Sequence, residues 1–264
     1  MDFELMLESL PQLLSGMWLT IQIVALSLAF GFVAALGLAL ARASSNPVVS
    51  GFAFAYAFVF RGTPLLVQIA LIYYGIGQFA LIRDSFLWEF FREAYWCAIL
   101  ALTMNTAAYG SEIIRGGFAA VPHGQVEAAR AAGMSGMLVF RRVIFPIAMR
   151  QALPAYGNEI VLMVKASALA STVTLVEITG IADRINSRHF APFEVFTTAG
   201  AIYLMINYLA TEIVRLAEWR LTPYLRPPHE LGHRLTPLDL VRQRPTLVIL
   251  SVVFIAGLVW GELQ

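Results

Sequence analysis

The sequence has little charge and few of the side chains that build metal or disulfide sites. Charged residues occupy 13% of its 264 positions and hydrophobic residues 59%, whereas soluble domains carry about 25% charged residues. The single cysteine, Cys97, excludes an internal disulfide and a cysteine metal cluster. The four histidines show no metal-ligand spacing on one helix. With a mean hydropathy of +0.72, the composition predicts a polytopic membrane protein that contacts lipid.

Lysine occurs once, at Lys165, where Val164 precedes it in an apolar stretch. A phosphate-binding Walker A loop requires a Gly-Lys-Ser/Thr sequence, so this chain cannot contain one. If the protein takes part in ATP-driven transport, another polypeptide must hydrolyse the ATP, and we expect no cofactor in this chain. The net charge of +1 comes without the clustered basic surface of a nucleic-acid-binding protein, so no nucleic-acid partner is expected.

Five stretches are long and apolar enough to be membrane-spanning helices, which need about 20 residues. They are residues 13–41, 62–81, 94–114, 151–171 and 193–214. The aromatic-rich segment 48–60 is too short to span comfortably, and it is either an interfacial helix or the first part of the second span. The acidic start of the chain does not resemble a cleaved signal peptide, so we expect the first helix to be retained.

The predicted fold is an all-α polytopic membrane helix bundle with five core transmembrane helices. Residues 1–225 form the predicted transmembrane domain. Residues 226–264 form a C-terminal extension whose short apolar stretch, 246–260, has no assigned role. A polar linker, 176–192, is expected between the fourth and fifth spans.

Arginine placement predicts the orientation of the chain, since cytoplasmic loops are enriched in positive residues. Arginines follow the first and fifth spans, and five more bracket the loop between the third and fourth: Arg115, Arg130, Arg141, Arg142 and Arg150. The opposite loops carry acids that offset their arginines, Glu177 among them. We therefore predict an N-terminus outside the cytoplasm and a cytoplasmic 115–150 loop.

This loop contains an Ala-rich helix pattern followed by a glycine. Ala is the best helix former, and the alanines over 128–132 leave a thin helix that another surface can approach closely. Gly133 fits a helix C-cap, where positive φ is required. A second short helix over 135–146 is expected to stop at Pro146. The pattern predicts an exposed helix–turn–helix that a partner protein can push; a solvated helix between spans is the alternative interpretation.

The spacing in this loop resembles a known family motif. Glu127-Ala128-Ala129, three residues, Gly133, nine residues and then 143–146 are similar to the EAA loop of ABC importer permeases, with Val143 in place of Ile and Phe145 in place of Leu. The blocks 60–68, 102–133 and 152–163 resemble the polar amino-acid branch of that family, near the histidine/lysine/arginine/ornithine and opine permeases. The resemblance covers most of 13–225.

The resemblance implies a type I ABC importer permease fold with a coupling loop over about 119–150. It implies that the loop docks in a groove of an ABC ATPase subunit and that Glu127 makes polar contacts there. The implied coupling residues are Glu127, Ala128, Ala129, Gly133, Val143 and Pro146. It further implies a second permease subunit, identical or different, a periplasmic amino-acid-binding protein, and a location in the bacterial inner membrane. Polar, basic amino acids or related opines are the implied substrates.

Polar side chains inside the predicted spans are candidates for a substrate pathway, because ionisable groups in a membrane are costly and are functional candidates by default. These are Asn105, Asn158, Glu159 and Lys165. We hypothesise that Asn158 and Glu159 line the pathway, and that Glu159 pairs with a substrate ammonium or guanidinium. The alternative is that Glu159 caps a neighbouring helix or pairs with Lys165 or an arginine to support packing.

A competing hypothesis is a secondary transporter driven by an ion gradient, with Glu112, Glu159 and Lys165 as a relay. Many such folds contain an internal repeat of spans, and the 115–146 loop has no counterpart elsewhere in the sequence. Glu112 is interpreted as a structural partner of the nearby Arg115 rather than as a pathway residue. A membrane enzyme lacks support, because Glu112 and Glu159 lie on different spans without a nucleophile motif.

Overall fold

The computed structural model describes residues 2–222, and this part of the chain consists of helices joined by short loops, without a β-strand. The predicted apolar segment 246–260 lies outside the described residues. The α-helices are α1 Phe3–Arg42, α2 Pro47–Gly62, α3 Leu65–Ala70, α4 Ala80–Arg83, α5 Trp88–Phe91, α6 Ala94–Ala119, α7 His123–Ala131, α8 Gly136–Val139, α9 Phe145–Ala166, α10 Ile178–His189 and α11 Pro192–Leu221.

Three of the described helices, α1, α6 and α11, are long and apolar enough to cross a membrane, and the count rises to five if each of two bent pairs forms one span. The predicted all-α membrane bundle is confirmed. α1 begins at Phe3 and α11 ends at Leu221, so both extend beyond the predicted spans.

The second span, predicted over 62–81 with 48–60 as an interfacial helix or as its first part, begins at a sharp break. α2 is a helix of its own, begun by the Asn46 side chain, which accepts the Val48 N–H at 2.9 Å. It meets the helical segment Leu65–Gln78 at 105°. The cause is Pro64, which has no N–H and disfavours helical geometry at the residue before it. Thr63 is accordingly extended, with φ −112° and ψ 144°.

The prediction that Pro146 stops a second short helix was also wrong. α8 continues through a π turn, Phe140–Ile144, directly into α9, and Pro146 lies in the first turn of α9. In the π turn the Phe145 N–H reaches the Phe140 carbonyl. Because α9 begins directly after the π turn, Pro146 lies in a first helical turn. That turn tolerates a residue without an N–H, so the helix continues past the proline.

The described residues form two compact units, Trp18–Glu177 and residues 2–17 with 178–222. In the second of these, an apolar cluster joins the start of α1 to α10 and α11. Its buried members are Leu5, Leu13, Ile178, Ala182, Ile185, Val195, Ala199 and Ile202. The segment predicted as a polar linker is therefore largely the helix α10, which buries one apolar face.

In the unit Trp18–Glu177, α6 runs parallel to α1. The Ser27 hydroxyl donates to the Ile99 carbonyl at 3.4 Å near the start of α6, and Arg42 at the end of α1 lies 3.4 Å from Glu112 near the end of α6. The two C-terminal ends therefore share one side of the bundle. This agrees with the predicted relation between the first and third spans.

α9 packs antiparallel to α6 at very short range. A Cβ atom added to Gly117 would overlap the Ala148 carbonyl oxygen and come within 3.1 Å of the Ala152 Cβ. Farther along the pair, Thr106 of α6 meets Glu159 of α9. Small residues allow such close helix contact in membranes, where packing and hydrogen bonds drive association.

Candidate coupling segment and membrane site

α7 ends in a complete Schellman motif, the hydrogen-bonded helix end that commonly requires glycine. The Met134 N–H donates to the Ala129 carbonyl at 3.2 Å, and the Gly133 N–H donates to the Arg130 carbonyl at 2.9 Å. Gly133 has φ +79°, which confirms the predicted left-handed C-cap. The glycine is required for its backbone angle, because a Cβ there would meet nothing within 4 Å.

The surface of α7 is open along most of its length. Glu127 and Ala128 are exposed, whereas Ala129 is buried against the rest of the segment. The exposed positions carry short side chains at Gly124, Ala128 and Ala131 and longer ones at His123, Gln125, Glu127 and Arg130. A partner can therefore approach the α7 backbone closely and meet one carboxylate at Glu127. The exposed Met137 at the start of α8 adds an apolar contact.

Aromatic side chains fix this segment to the ends of α6 and α9. The Phe140 ring lies 6.0 Å from the rings of both Phe118 and Phe145, and Val139 is buried. Val143 and Pro146 are half-buried at the junction with α9. On its C-terminal side the segment is continuous with α9 through the π turn, whereas residues 120–122 separate α7 from the end of α6.

Charged side chains cluster at the same end of the α1–α6 pair. Arg115 donates to the Glu112 carboxylate through Nε at 2.9 Å and through Nη2 at 2.8 Å, and Arg42 lies 3.4 Å from the other carboxylate oxygen. The structure thus places Glu112 between two arginines, as expected for a structural role. The cluster ties the end of α1 to the last turns of α6.

The membrane site that the structure forms around Glu159 lies deep between helices. Glu159 is 6% exposed, and its Oε1 accepts the Thr106 hydroxyl at 2.9 Å. A Cβ on Gly31 of α1 would overlap the Thr106 methyl group, so three helices meet at this point. Thr106 lies about 18 Å along α6, at about 1.5 Å per residue, which is near the middle of that helix.

The four predicted pathway residues do not form one cluster. Asn158 and Lys165 are exposed on α9, while Glu159 faces inward, because successive helical residues point about 100° apart. Within the described chain Lys165 forms no ion pair with Glu159. Asn105 is buried against Gln68 of α3. Their shared role in a pathway stays a prediction.

Sequence reasoning missed two buried polar residues. Glu177, interpreted as an acid in an outer loop, is 0% exposed and its Oε2 lies 3.4 Å from the Thr20 hydroxyl. Gln68 is buried and bonds to the end of α2, as described below. A preceding apolar residue does not signal this burial, since Glu127 and Lys165 also follow valines and are exposed.

A bundle of membrane helices with a short exposed helical hairpin at one end fits the transmembrane subunit of a transporter. The sequence profile of the family described as "Binding-protein-dependent transport system inner membrane component" matches residues 27–222. The chain belongs to that family and is an ABC importer permease subunit. This assignment favours the importer over the ion-gradient alternative.

Relatives agree with the assignment. The chain is 54% identical to the nopaline transport system permease protein NocM of Agrobacterium fabrum over 86% of this chain and 94% of that protein. It is 52% identical to the octopine transport system permease protein OccM of Rhizobium meliloti over 91% and 96%. Against the histidine/lysine/arginine/ornithine permease HisM of Escherichia coli the identity is 41%, over 81% and 90%.

Solved structures share the fold. The crystal structure of an amino acid ABC transporter with histidines contains a chain 36% identical to this one, with a TM-score of 0.74 over 83% of this chain and 99% of that chain. An inward-facing MetNI methionine ABC transporter has a TM-score of 0.68 at 21% identity, over 81% and 98%. The second likeness shows the fold alone.

Proposed function

We propose that the chain forms the inner-membrane translocation pathway of an ATP-driven importer for basic amino acids or opines. The carrying observation is the exposed α7 hairpin, which begins after the end of α6 and continues directly into α9. The substrate class is supported by relatives that are named for nopaline, octopine and basic amino acids.

The proposed coupling surface is the open face of α7 with the turn that follows it. Glu127 and Ala128 would contact a groove of the ATPase subunit, and Gly133 would keep the turn compact. Ala129 packs inward and supports the helix from behind. Val143 and Pro146 connect the surface to α9 through the π turn. Because α7 is anchored at both sides, movement of the ATPase would tilt α6 and α9 together.

The proposed partners are two ABC ATPase subunits, a second permease subunit and a periplasmic amino-acid-binding protein. Their support is the family itself, whose description names a binding protein. The proposed orientation places the N-terminus in the periplasm and α7 in the cytoplasm. It is supported by the arginines in and around the α7 segment and by the shared side of the α1 and α6 C-terminal ends.

The proposed substrate contact is Glu159. A buried carboxylate in the membrane is costly unless it has partners, and a substrate ammonium or guanidinium would supply a charge-assisted hydrogen bond. Thr106 would hold the carboxylate in place through the bond that the structure shows. Asn158 and Lys165, on the exposed face of α9, would line the path at the surface between permease subunits.

The test is uptake by the complete transporter in liposomes. The chain is purified with its ATPase and second permease subunits, and basic amino acids, nopaline and octopine are offered with the binding protein outside. We expect uptake only when ATP is enclosed inside the liposomes, on the side of the ATPase subunits. A matched control replaces the ATPase subunit by a variant that cannot hydrolyse ATP. Uptake driven by an ion gradient without ATP would overturn the proposal; uptake of neutral or acidic amino acids alone would overturn its substrate class.

A further inference from the structure

The break between α2 and α3 leaves carbonyl oxygens that helix amides do not reach. The last four carbonyls of any α-helix lack an intrahelical partner, and Pro64 contributes no N–H at this break. At the end of α2, side chains lie within hydrogen-bond distance of three of these four carbonyls. The Thr63 hydroxyl donates to the Val59 carbonyl at 2.8 Å, the Tyr109 hydroxyl lies 3.5 Å from the Arg61 carbonyl, and the Phe60 carbonyl is met by Gln68.

Gln68 is the centre of this arrangement. Its Nε2 donates to the Phe60 carbonyl at 2.8 Å, and lies 2.8 Å from the Thr63 hydroxyl and 3.1 Å from the Thr63 carbonyl. One side chain of α3 therefore reaches back across the bend and holds the last turn of α2. The side chain is 6% exposed, so in a membrane no water would replace these bonds.

Asn105 of α6 holds Gln68 from the other side. Its Nδ2 donates to the Gln68 Oε1 at 3.0 Å and lies 3.4 Å from the Phe60 carbonyl. Asn105 is 9% exposed. The Tyr56 hydroxyl of α2 donates to the neighbouring Met104 carbonyl at 2.9 Å, so α2 is attached to the same turn of α6. The bend is thus hydrogen-bonded to α6 through the carboxamides of Gln68 and Asn105 and the hydroxyl of Tyr56.

We propose that Gln68 and Asn105 form an amide clamp that fixes the 105° bend of the second span to α6. Irregular backbone is tolerated at membrane depth only where it is buried in protein or lines a cavity. Broken helix ends often serve as ion or substrate sites because their backbone groups are open. Here side chains occupy three of the four carbonyls at the end of α2, so most of the broken end is closed and Gln68 is a positioning residue.

The clamp lies on the helix that leads to α7. α6 carries Asn105 in its middle and ends just before the coupling segment. If α7 is moved by an ATPase, as the proposed function states, the α2 end and the α3 segment move with α6 as one body. Loss of the clamp would let the bend open independently, and coupling movements would no longer reach it. This consequence for transport rests on the proposed function, whereas the clamp itself does not.

The experiment measures the bend directly in the complete transporter. Spin labels are placed at Phe58 on α2 and Leu71 after α3, both exposed, with Cys97 replaced by alanine and labelled chains diluted by unlabelled ones. We expect a single narrow distance distribution, which Gln68→Leu broadens at least twofold. Gln78→Leu is the matched control, because Gln78 lies on the same helical segment and is exposed outside the clamp. It should leave the distribution unchanged.

A double-mutant cycle separates a clamp from two independent residues. Gln68→Leu and Asn105→Leu should each lower ATP-driven uptake at least tenfold, and the double variant should lower it no more than about twofold further. Should Gln68→Leu not assemble, Asn105→Ala, which spares the Gln68 bonds to Phe60 and Thr63, is measured in the same way and should broaden the distribution.

Additive losses, an unchanged distance distribution, or a raised KM with an unchanged distribution would each overturn the clamp, the last by making Gln68 a substrate contact. Absence of uptake in the unmutated transporter would count against the proposed function alone. The distance measurement would still decide the clamp.

Discussion

The coupling segment 119–150 and the membrane core of α2, α6 and α9 are held together in opposite ways. In α7 and the turn after it, the backbone hydrogen bonds that begin and end the helix join residues within five positions of each other, and the outer surface is open. In the core, Asn105 and Gln68 are 37 positions apart, and Thr106 and Glu159 are 53 apart. The comparison indicates that the segment is shaped by local backbone geometry and the core by long-range packing.

The two regions should therefore respond differently to substitution. A change in the core should cost folding, because closely packed interiors relax only in part. A change on the open face of α7 should leave the bundle folded and cost attachment of the partner.

The α6–α9 contact should be the least tolerant position. Gly117→Val places atoms where the Ala148 carbonyl lies, and overpacking costs about 1–3 kcal/mol even when side chains can shift. A backbone carbonyl cannot shift alone, so we expect at least a tenfold loss of folded protein in detergent. Gly116→Val is the control, since nothing lies within 4 Å of a Cβ there. Equal yields of the two variants would show that close α6–α9 packing is not required.

Substitutions at Glu159 and Thr106 should show whether Glu159 acts through its charge or through its packing. Glu159→Gln keeps an oxygen that accepts the Thr106 hydroxyl and removes the charge, whereas Thr106→Val removes the bond and keeps the charge. If Glu159 binds cationic substrate, Glu159→Gln should lower uptake of basic amino acids about tenfold, because a hydrogen bond to a charged group contributes about 1.5–3 kcal/mol. Thr106→Val should lower it less than threefold. The reverse ranking, with Thr106→Val lowering thermal stability, would assign Glu159 to packing.

Features that depend on local signals were predictable from the sequence. Five apolar stretches, the left-handed Gly133 and the parallel α1–α6 relation were predictable, because hydropathy, a helix followed by glycine and arginine placement are local signals. The family motif gave the coupling residues their expected place. The short helices in front of α9 were only partly predicted, because the sequence shows Pro146 as a stop and gives no sign of the π turn that carries the helix past it.

The core was less predictable, because its partners are far apart in the chain. Glu177 and Gln68 are buried by contacts with α1, α2 and α6 that no spacing within one segment indicates. The inward turn of Glu159 beside the outward Asn158 depends on which face of α9 meets α6. Asn158 and Glu159 are adjacent and both polar, so their residue types do not indicate which of the two faces inward.

The turn after α7 should show a moderate effect that is confined to coupling. Gly133→Ala strains the left-handed backbone by about 1–2 kcal/mol, which should weaken retention of the ATPase subunit about fivefold on purification while thermal stability of the bundle changes little. Gly124→Ala, inside α7 with open space around its Cβ, is the control and should retain the ATPase fully. Loss of folded bundle in Gly133→Ala would contradict the independence of the two regions.

The charged cluster between the two regions should contribute least. Glu112→Gln removes the ion pairs with Arg42 and Arg115. The Glu112 carboxylate that both arginines share is partly exposed. Partly exposed ion pairs contribute about 0.2–1 kcal/mol, so we expect a small decrease in thermal stability and uptake within twofold of the unmutated transporter. High salt should reduce the stability difference between the two proteins, since screening weakens exposed pairs. A loss of uptake above tenfold with normal assembly would instead make Glu112 part of the transport pathway, and the membrane site would then extend to the coupling end of α6.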